Sequence, residues 1–349
     1  MRPLWPLLLL ACVSRPNEGP IVVGVVAPLT GPEAPYGTAI KQGVELALGE
    51  ASALRRTIRA IHVDDLGSAD EARAAAERLI REERAAILIA GATSGEALAA
   101  AEVAERAAVP MITPAATHAA VTKVGAHVFR ACFDDAAQSA AIARILKGRL
   151  RVRSLAVLRD PSNEYATALS ALVIAALEGV EIREEAYEPG AREHGALWPK
   201  LGRVDAIFVP GYAQDLAHLA RSARAAKIEA PFVSGDGLGA GDLVKEPALE
   251  GALFTTHFDP RGAEDFVRRY RERFNEVPDA IAALGYDAAR LALHALEVAP
   301  STDGPTLAAA IAAARIDGVS GRLWMSADGD PDKAVRVARI HEGAVEILE

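Results

Sequence analysis

The chain has 349 residues, enough for two domains of ordinary size with a large buried core. With 51% apolar, 24% charged and 5% aromatic residues it lies in the globular range, which excludes wholesale disorder. A formal charge of -9 without a long Lys or Arg block offers no counterion-release affinity for nucleic acid, and the apolar runs fall short of the ~18 residues of a membrane span.

Residues 1–11 carry Arg2 as the only charge, followed by an apolar run from Leu4 to Ala11, the pattern of an export signal. The Leu9-Leu10-Ala11-Cys12 run resembles the lipobox of bacterial lipoproteins, in which the cysteine is acylated and begins the mature protein. A plain secretory signal with a chance cysteine is the alternative. Residues 12–20 have linker composition and form a short tether. If Cys12 is acylated, Cys132 stands alone; between Phe129 and Phe133 it reads as a small buried apolar residue. Two cysteines are too few for a disulfide framework or a thiolate zinc site.

From Ile21 one pattern repeats: a short β-branched run, a loop with Gly or Pro, then a helix of Ala, Leu, Arg and Glu. This alternation predicts βαβ units and a mostly parallel sheet. Strands are expected at 21–27, 57–64, 86–90, 109–112, 127–130, 154–159, 181–187, 206–210, 232–234 and 251–256. Late strands are expected at 321–325, 334–341 and 344–348. Helical spacing places Ala72, Ala76, Leu79 and Ile80 on one face, and Tyr165, Leu169, Leu172, Val173 and Ala176 on another. A boundary is expected where the first run of units ends near 133–137, before a helix at 136–146. Helices at about 263–275, 279–298 and 306–314 precede the closing strands.

Ligands of parallel sheets sit beyond the carboxyl ends of strands, so the loops there carry the candidate chemistry. The first is the turn-rich stretch from Pro28 to Gly37, with Tyr36 at the helix entry as either a site residue or a cap on the core edge. The second, Gly91-Ala92-Thr93-Ser94-Gly95-Glu96, leads into a helix at 97–107. Its hydroxyls and free amides make an anion site, suited to a carboxylate, unless Ser94 is simply an N-cap. The third, Pro114-Ala115-Ala116-Thr117, gathers a hydroxyl, an amide donor and the Ala115 carbonyl. Later come Gly211-Tyr212 and Gly235-Asp236-Gly237. Glycines on both sides of Asp236 let the backbone come close to a ligand, and Asp236 is either a partner for a cation or an ordinary turn residue.

Enzyme signatures are absent. The stretch from Gly91 to Gly95 misses the hydrolase elbow because Thr93 holds the central place. No phosphate loop, His-Glu-x-x-His or spaced Cys/His set occurs, so no metal or cofactor is expected. His62, His118 and His257 near strand ends read as solvated or core-edge residues. Asp64 and Asp65 point to opposite faces of a strand, which favours a loop role over a shared site.

Taken in order, these stretches resemble the bacterial leucine/isoleucine/valine-binding proteins, substrate-binding components of ABC importers. The matching residues are Pro28-Leu29-Thr30-Gly31 with Tyr36-Gly37, Asp64-Asp65, Gly91-x-x-Ser94-Gly95 and Val109-Pro110. They continue with Pro114-Ala115-Ala116-Thr117, Phe129-Arg130, Asp135-x-x-Gln138, Gly211-Tyr212, Gly235-Asp236-Gly237 and Tyr286-Asp287-Ala288. The resemblance implies an α/β fold of two Rossmann-like lobes with parallel sheets joined by a three-crossing hinge, the periplasmic binding protein type I fold. The lobes expected are 21–135 plus about 260–322, and 136–259 plus about 323–349.

The resemblance further implies that Ser94 and Thr117 hold a ligand α-carboxylate, in loops with Thr93 and Ala116. It gives the α-ammonium to the Ala115 carbonyl and Asp236, and the pocket lining to Tyr36, Tyr165 and Tyr212. Two departures stand out: Tyr165-Ala166 where Tyr-Gly is common, and Asp236 where Glu is common, an acid reaching ~1 Å less. The expected function is capture of an amino acid or related small carboxylate for an ABC permease, without enzymatic activity and without nucleic acid as partner. The membrane contact expected is a lipid anchor at Cys12, on the periplasmic side or cell surface. The alternative is a sensor that reports a ligand through a separate signalling partner; a hydrolase using Ser94 lacks a recognisable His partner.

Overall fold

The computed structural model describes residues 19–51 and 57–348; the expected signal segment and Cys12 lie outside them. The first run of units comprises β1 (Ile21–Ala27), α1 (Ala34–Gly49), β2 (Ile58–Asp64), α2 (Ala69–Arg81), β3 (Ile87–Ala90), α3 (Ser94–Arg106), β4 (Met111–Thr113) and β5 (Val128–Arg130). Its strands form a parallel sheet in the order β2-β1-β3-β4-β5. The second run comprises α4 (Asp135–Arg144), β6 (Ser154–Arg159), α5 (Glu164–Ala175), β7 (Glu181–Ala186), α6 (Trp198–Leu201), β8 (Ala206–Phe208), α7 (Ala213–Ala225), β9 (Phe232–Ser234) and β10 (Leu253–Thr256). Next come α8 (Glu264–Phe274), α9 (Ala280–Val298), α10 (Gly304–Ala312), β11 (Arg315–Gly318) and β12 (Gly321–Trp324), then β13 (Arg336–His341) and β14 (Ala344–Ile347).

The second sheet has the order β14-β13-β10-β9-β8-β6-β7. It is parallel from β7 to β10. β13 runs antiparallel to β10, and β14 pairs antiparallel with β13 because only Glu342 and Gly343 connect them. Their φ values of 52° and 71° make the two-residue turn whose twist suits a hairpin. Helices α8 to α10 pack back on the first sheet's core, so the chain passes between lobes three times: after β5, after β10 and after β12.

β1 shows why its sequence is an unbroken apolar run. Ile21, Val23 and Val25 enter the core under α1 and α9, whereas Val22 and Val26 enter the one under α2 and α3. A strand covered on both faces leaves no position for a polar side chain. β6 repeats this, with Ala156 and Leu158 on one face and Leu155 and Val157 on the other.

Several expected boundaries shift. The strand expected at 206–210 ends at Phe208, before Pro210, which has no N–H for a ladder. β11 was not expected: Arg-Ile-Asp-Gly is short and polar, and it pairs with β12 because Asp287 fixes the turn between them. The Asp287 carboxylate accepts the Val319 and Ser320 N–H groups at 2.8 Å each.

α1 and α9 cross at two glycines. A Cβ on Gly43 would lie 2.2 Å from the Ala282 carbonyl oxygen, and one on Gly285 would lie 2.6 Å from that of Ile40. Backbone cannot yield as a flexible side chain can, so Gly43→Ala and Gly285→Ala should each cost about 1–3 kcal/mol, as overpacking does. Urea unfolding of the two variants against the parent checks this.

Candidate functional site

In the first sheet the connections from β1 and β3 depart to opposite faces, and those from β6 and β8 do so in the second. Such switch points open a crevice at the strands' carboxyl ends. The two crevices face each other. From the first lobe come Tyr36 in the first turn of α1, Thr93 and Ser94 at the start of α3, and Ala115 and Thr117 after β4. From the second come Tyr165 in the first turn of α5, Tyr212 just before α7, and Asp236 after β9. With Ala92, Gly237 and Ile281 they line one cavity of about 10 Å³. Ala116 is not in this lining: it packs into the core beneath α3, and its carbonyl turns inward to Arg130 and Cys132.

Asp236 is 7% exposed. Tyr165 donates its hydroxyl to Oδ1 at 3.0 Å, and His257 lies with Nε2 2.9 Å from Oδ2. The Asp236 N–H donates to Gln138 Oε1 at 2.8 Å, and that oxygen also accepts from the Thr255 hydroxyl at 2.7 Å. An ionised carboxylate has about four acceptor positions, so two remain for a further donor. The flanking glycines serve a different purpose from the one expected. A Cβ on Gly235 would sit 2.0 Å from the Tyr165 hydroxyl, and one on Gly237 would sit 2.4 Å from the Gly211 carbonyl oxygen. The close approach is to the protein's own atoms.

His257 is a correction to the sequence reading. It is 1% exposed and stacks on Phe133 with ring centroids 3.7 Å apart. Burial pushes its pKa down against the opposing pull of Asp236, so the ring is a neutral Nε2–H donor. The available signal was its place at the carboxyl end of a strand, two residues after Thr255 and therefore on the same side.

Tyr36 spans the cleft. Its hydroxyl donates to the Gly237 carbonyl at 2.6 Å and accepts the Ala213 N–H at 3.0 Å, both in the second lobe. Its ring meets that of Tyr212 edge-on at 5.7 Å, and Tyr165 stacks on Tyr212 at 5.7 Å. Burial raises the pKa of all three phenols, so they remain neutral donors.

On the first-lobe wall, Thr93 and Glu96 form a capping box, with the Thr93 N–H donating to Glu96 Oε2 at 3.1 Å. Ser94 Oγ accepts the His118 N–H at 3.4 Å, which ties the second loop to the third. Asp64 holds the loop before Tyr36 by accepting the Leu29 N–H at 2.8 Å and the Thr30 hydroxyl at 2.7 Å. Asp65 instead turns inward and accepts the Gly67 N–H at 3.1 Å. Cys132 is buried and its thiol is pushed up to about 12 by burial, so it is not a thiolate. Among the described residues no group of three or more His, Cys, Asp or Glu could hold a metal ion, and no helix is long and apolar enough to cross a membrane.

Burial raises the pKa of three carboxyls behind the cleft. Glu96 is pushed up to about 8 by burial and by Asp65, Asp65 to about 6 mainly by burial, and Asp135 to about 7 mainly by burial. A raised carboxyl binds its proton more tightly folded than unfolded, so its contribution to stability is lost as pH climbs through the folded value. Above about pH 7 Glu96 is the raised carboxyl still titrating, and from about pH 8 Lys333, pushed down to about 8 by burial, opposes the fall. Thermal melts should therefore fall from about pH 6 to about pH 8, and Glu96→Gln should flatten the upper part of that fall. An equally steep fall in the variant would remove Glu96 as its source.

A family model described as periplasmic binding protein matches residues 20–344. The chain is 27% identical over 341 residues to Leu/Ile/Val-binding protein homolog 2 of Brucella abortus (strain 2308), covering 93% of this chain and 91% of that one. The crystal structure of a leucine binding protein, LivK, from Thermotoga maritima MSB8 superposes with a TM-score of 0.90 at 31% identity, covering 94% of this chain and 98% of that one. The branched-chain amino acid transporter substrate binding protein LivJ from Streptococcus pneumoniae, in complex with isoleucine, gives 0.88 at 26% identity over 94% and 99% of the two chains. A solute binding protein from R. palustris in complex with benzoate, 22% identical with a TM-score of 0.83 over 95% and 96% of the two chains, shares the fold. With nearly its whole length matched, the chain belongs to the periplasmic binding protein family, whose members bind solutes and are not enzymes.

Proposed function

We propose that the protein captures an α-amino acid with a branched-chain-like side chain, or a related small carboxylate, and delivers it to the permease of an ABC importer. The observation that carries this is the polarity of the cleft. The Asp236 carboxylate stands on the second-lobe wall, and the Ser94 hydroxyl and the start of α3 stand on the first-lobe wall. A zwitterion entering between them meets an acceptor for its ammonium and donors for its carboxylate. Ala92, Ile281 and the tyrosine rings supply the apolar remainder. Similarity to leucine- and isoleucine-binding relatives supports the class, and family membership places the protein outside the cytoplasm. Attachment to the membrane through an acylated Cys12, and a lobe division near residues 135, 260 and 322, belong to the same proposal.

With about 10 Å³ between them, the walls must part for an amino acid to enter. The three crossings allow a hinge motion, and contacts made only on closure would drive it. A thermal-shift screen against leucine, isoleucine, valine and benzoate tests the class, since ligand at 100 times its Kd adds about 2.7 kcal/mol. No shift with any of them overturns it. By calorimetry with the best of these, Asp236→Ala should weaken an amino acid roughly 30-fold to several thousand-fold, as loss of one partner in a buried charged pair does. A change within about twofold would remove Asp236 as the partner of the ammonium. Tyr36→Phe removes two hydrogen bonds that bridge the lobes, each worth about 0.5–1.5 kcal/mol net, so it should weaken binding about fivefold or more. Small-angle scattering of Tyr36→Phe without ligand should show a larger radius than the parent.

A further inference from the structure

Resting on the carboxylate-binding reading of the cleft, we propose that Arg130 is a positioning residue: it turns the Thr117 N–H into the cleft as an anion donor. Arg130 does not line the cavity, and it is 0% exposed. Its Nη1 donates to the Ala116 carbonyl at 3.2 Å and the Thr117 carbonyl at 2.7 Å. Its Nη2 donates to the His118 carbonyl at 3.0 Å and the Thr122 hydroxyl at 3.4 Å. Its Nε pairs with Asp330 Oδ1 at 2.6 Å. The four Nη N–H groups of the guanidinium are thereby used, and the Nε contact with Asp330 is an ion pair without hydrogen-bond geometry; a lysine cannot reproduce this fork.

The consequence follows from the planar trans peptide, in which C=O and N–H point to opposite sides. Drawing the Ala116 carbonyl down to Arg130 sends the Thr117 N–H the other way. Among the described residues that N–H donates to no protein acceptor, and Thr117 lines the cavity. The next peptide is drawn down in the same manner, and its His118 N–H donates to Ser94 Oγ on the neighbouring loop. A buried cation directly behind the loop also favours an anion in front of it, with little screening by salt. Asp330 lies on the third crossing, and the Arg130 N–H donates to the adjacent Gly329 carbonyl at 3.0 Å, so the same side chain fastens this loop to the hinge.

The test compares L-leucine with L-leucinamide, and benzoate with benzamide, by calorimetry on the parent, Arg130→Met, Arg130→Lys and Asp330→Asn. Arg130→Met should lose tenfold or more for the carboxylate-bearing member of the pair that binds the parent, and leave the amide, bound or not, unchanged. Arg130→Lys should lose less than Arg130→Met, and Asp330→Asn less again. Hydrogen exchange of the segment 113–120 should show ligand protection in the parent that Arg130→Lys reduces. A role confined to stability would lower the melting temperature and leave carboxylate affinity, the ratio to the amide and that protection intact. Such a result in the variants that fold, with every carboxylate affinity within twofold of the parent, overturns the inference and leaves the amino-acid reading standing. If the parent binds neither leucine nor benzoate, that reading and this inference fall together.

Discussion

A carboxylate withdrawn from water must be met by donors, and the architecture around Asp236 supplies two of them while a third side chain holds its backbone. Tyr165 arrives from the first turn of α5 and His257 from the end of β10 to meet the carboxylate, and Gln138 of α4 accepts the Asp236 N–H at the end of β9. None of these groups is near another in sequence. Only a parallel sheet with its strand ends aligned brings them to one point, and each loop's small residues are explained by that convergence. Gly235 and Gly237 are where the packing leaves no room for a Cβ, so the Asp236 carboxyl can sit among its donors. The shorter acid and the donors around it fit together: an Asp held by two side chains offers its remaining lone pairs in a fixed direction.

The opposite wall follows the same logic with the sign reversed. At the start of α3 backbone N–H groups are exposed by the helix geometry itself, and Thr93 and Glu96 satisfy some of them through the capping box. Glu96 stands within the first turn, where a full negative charge would oppose an anion in front of the helix. Its raised pKa keeps it protonated near neutrality, so the capping geometry is retained without that charge. The hinge shows a related economy of means. Lys333, buried and pushed down to about 8, donates to the Ala131 carbonyl at 2.7 Å and the Ser320 hydroxyl at 2.6 Å. With Arg130 and Asp330 it binds the first and third crossings into one unit, while Tyr36 bridges the lobes through backbone hydrogen bonds.

By itself the sequence determined the alternation of strands and helices, because strands buried on both faces must be apolar throughout and the helices between them must carry one apolar stripe. β1 and β6 are legible for that reason, and so are the loops after the strands, where Tyr36, Ser94, Thr117, Tyr212 and Asp236 stand beside Gly and Pro. Tertiary structure alone decided what those loops meet. His257 looked like a strand-end residue until the packing of Phe133 against its ring removed it from water. Arg130 was one residue of a matching dipeptide until the fold folded three carbonyls around it. β11 has no periodicity to read, and its pairing depends on Asp287, which lies 32 residues from the turn it holds. Periodicity is a local property that each segment carries alone, whereas a buried polar group acquires its role from partners far away in sequence, and only the folded chain specifies who those partners are.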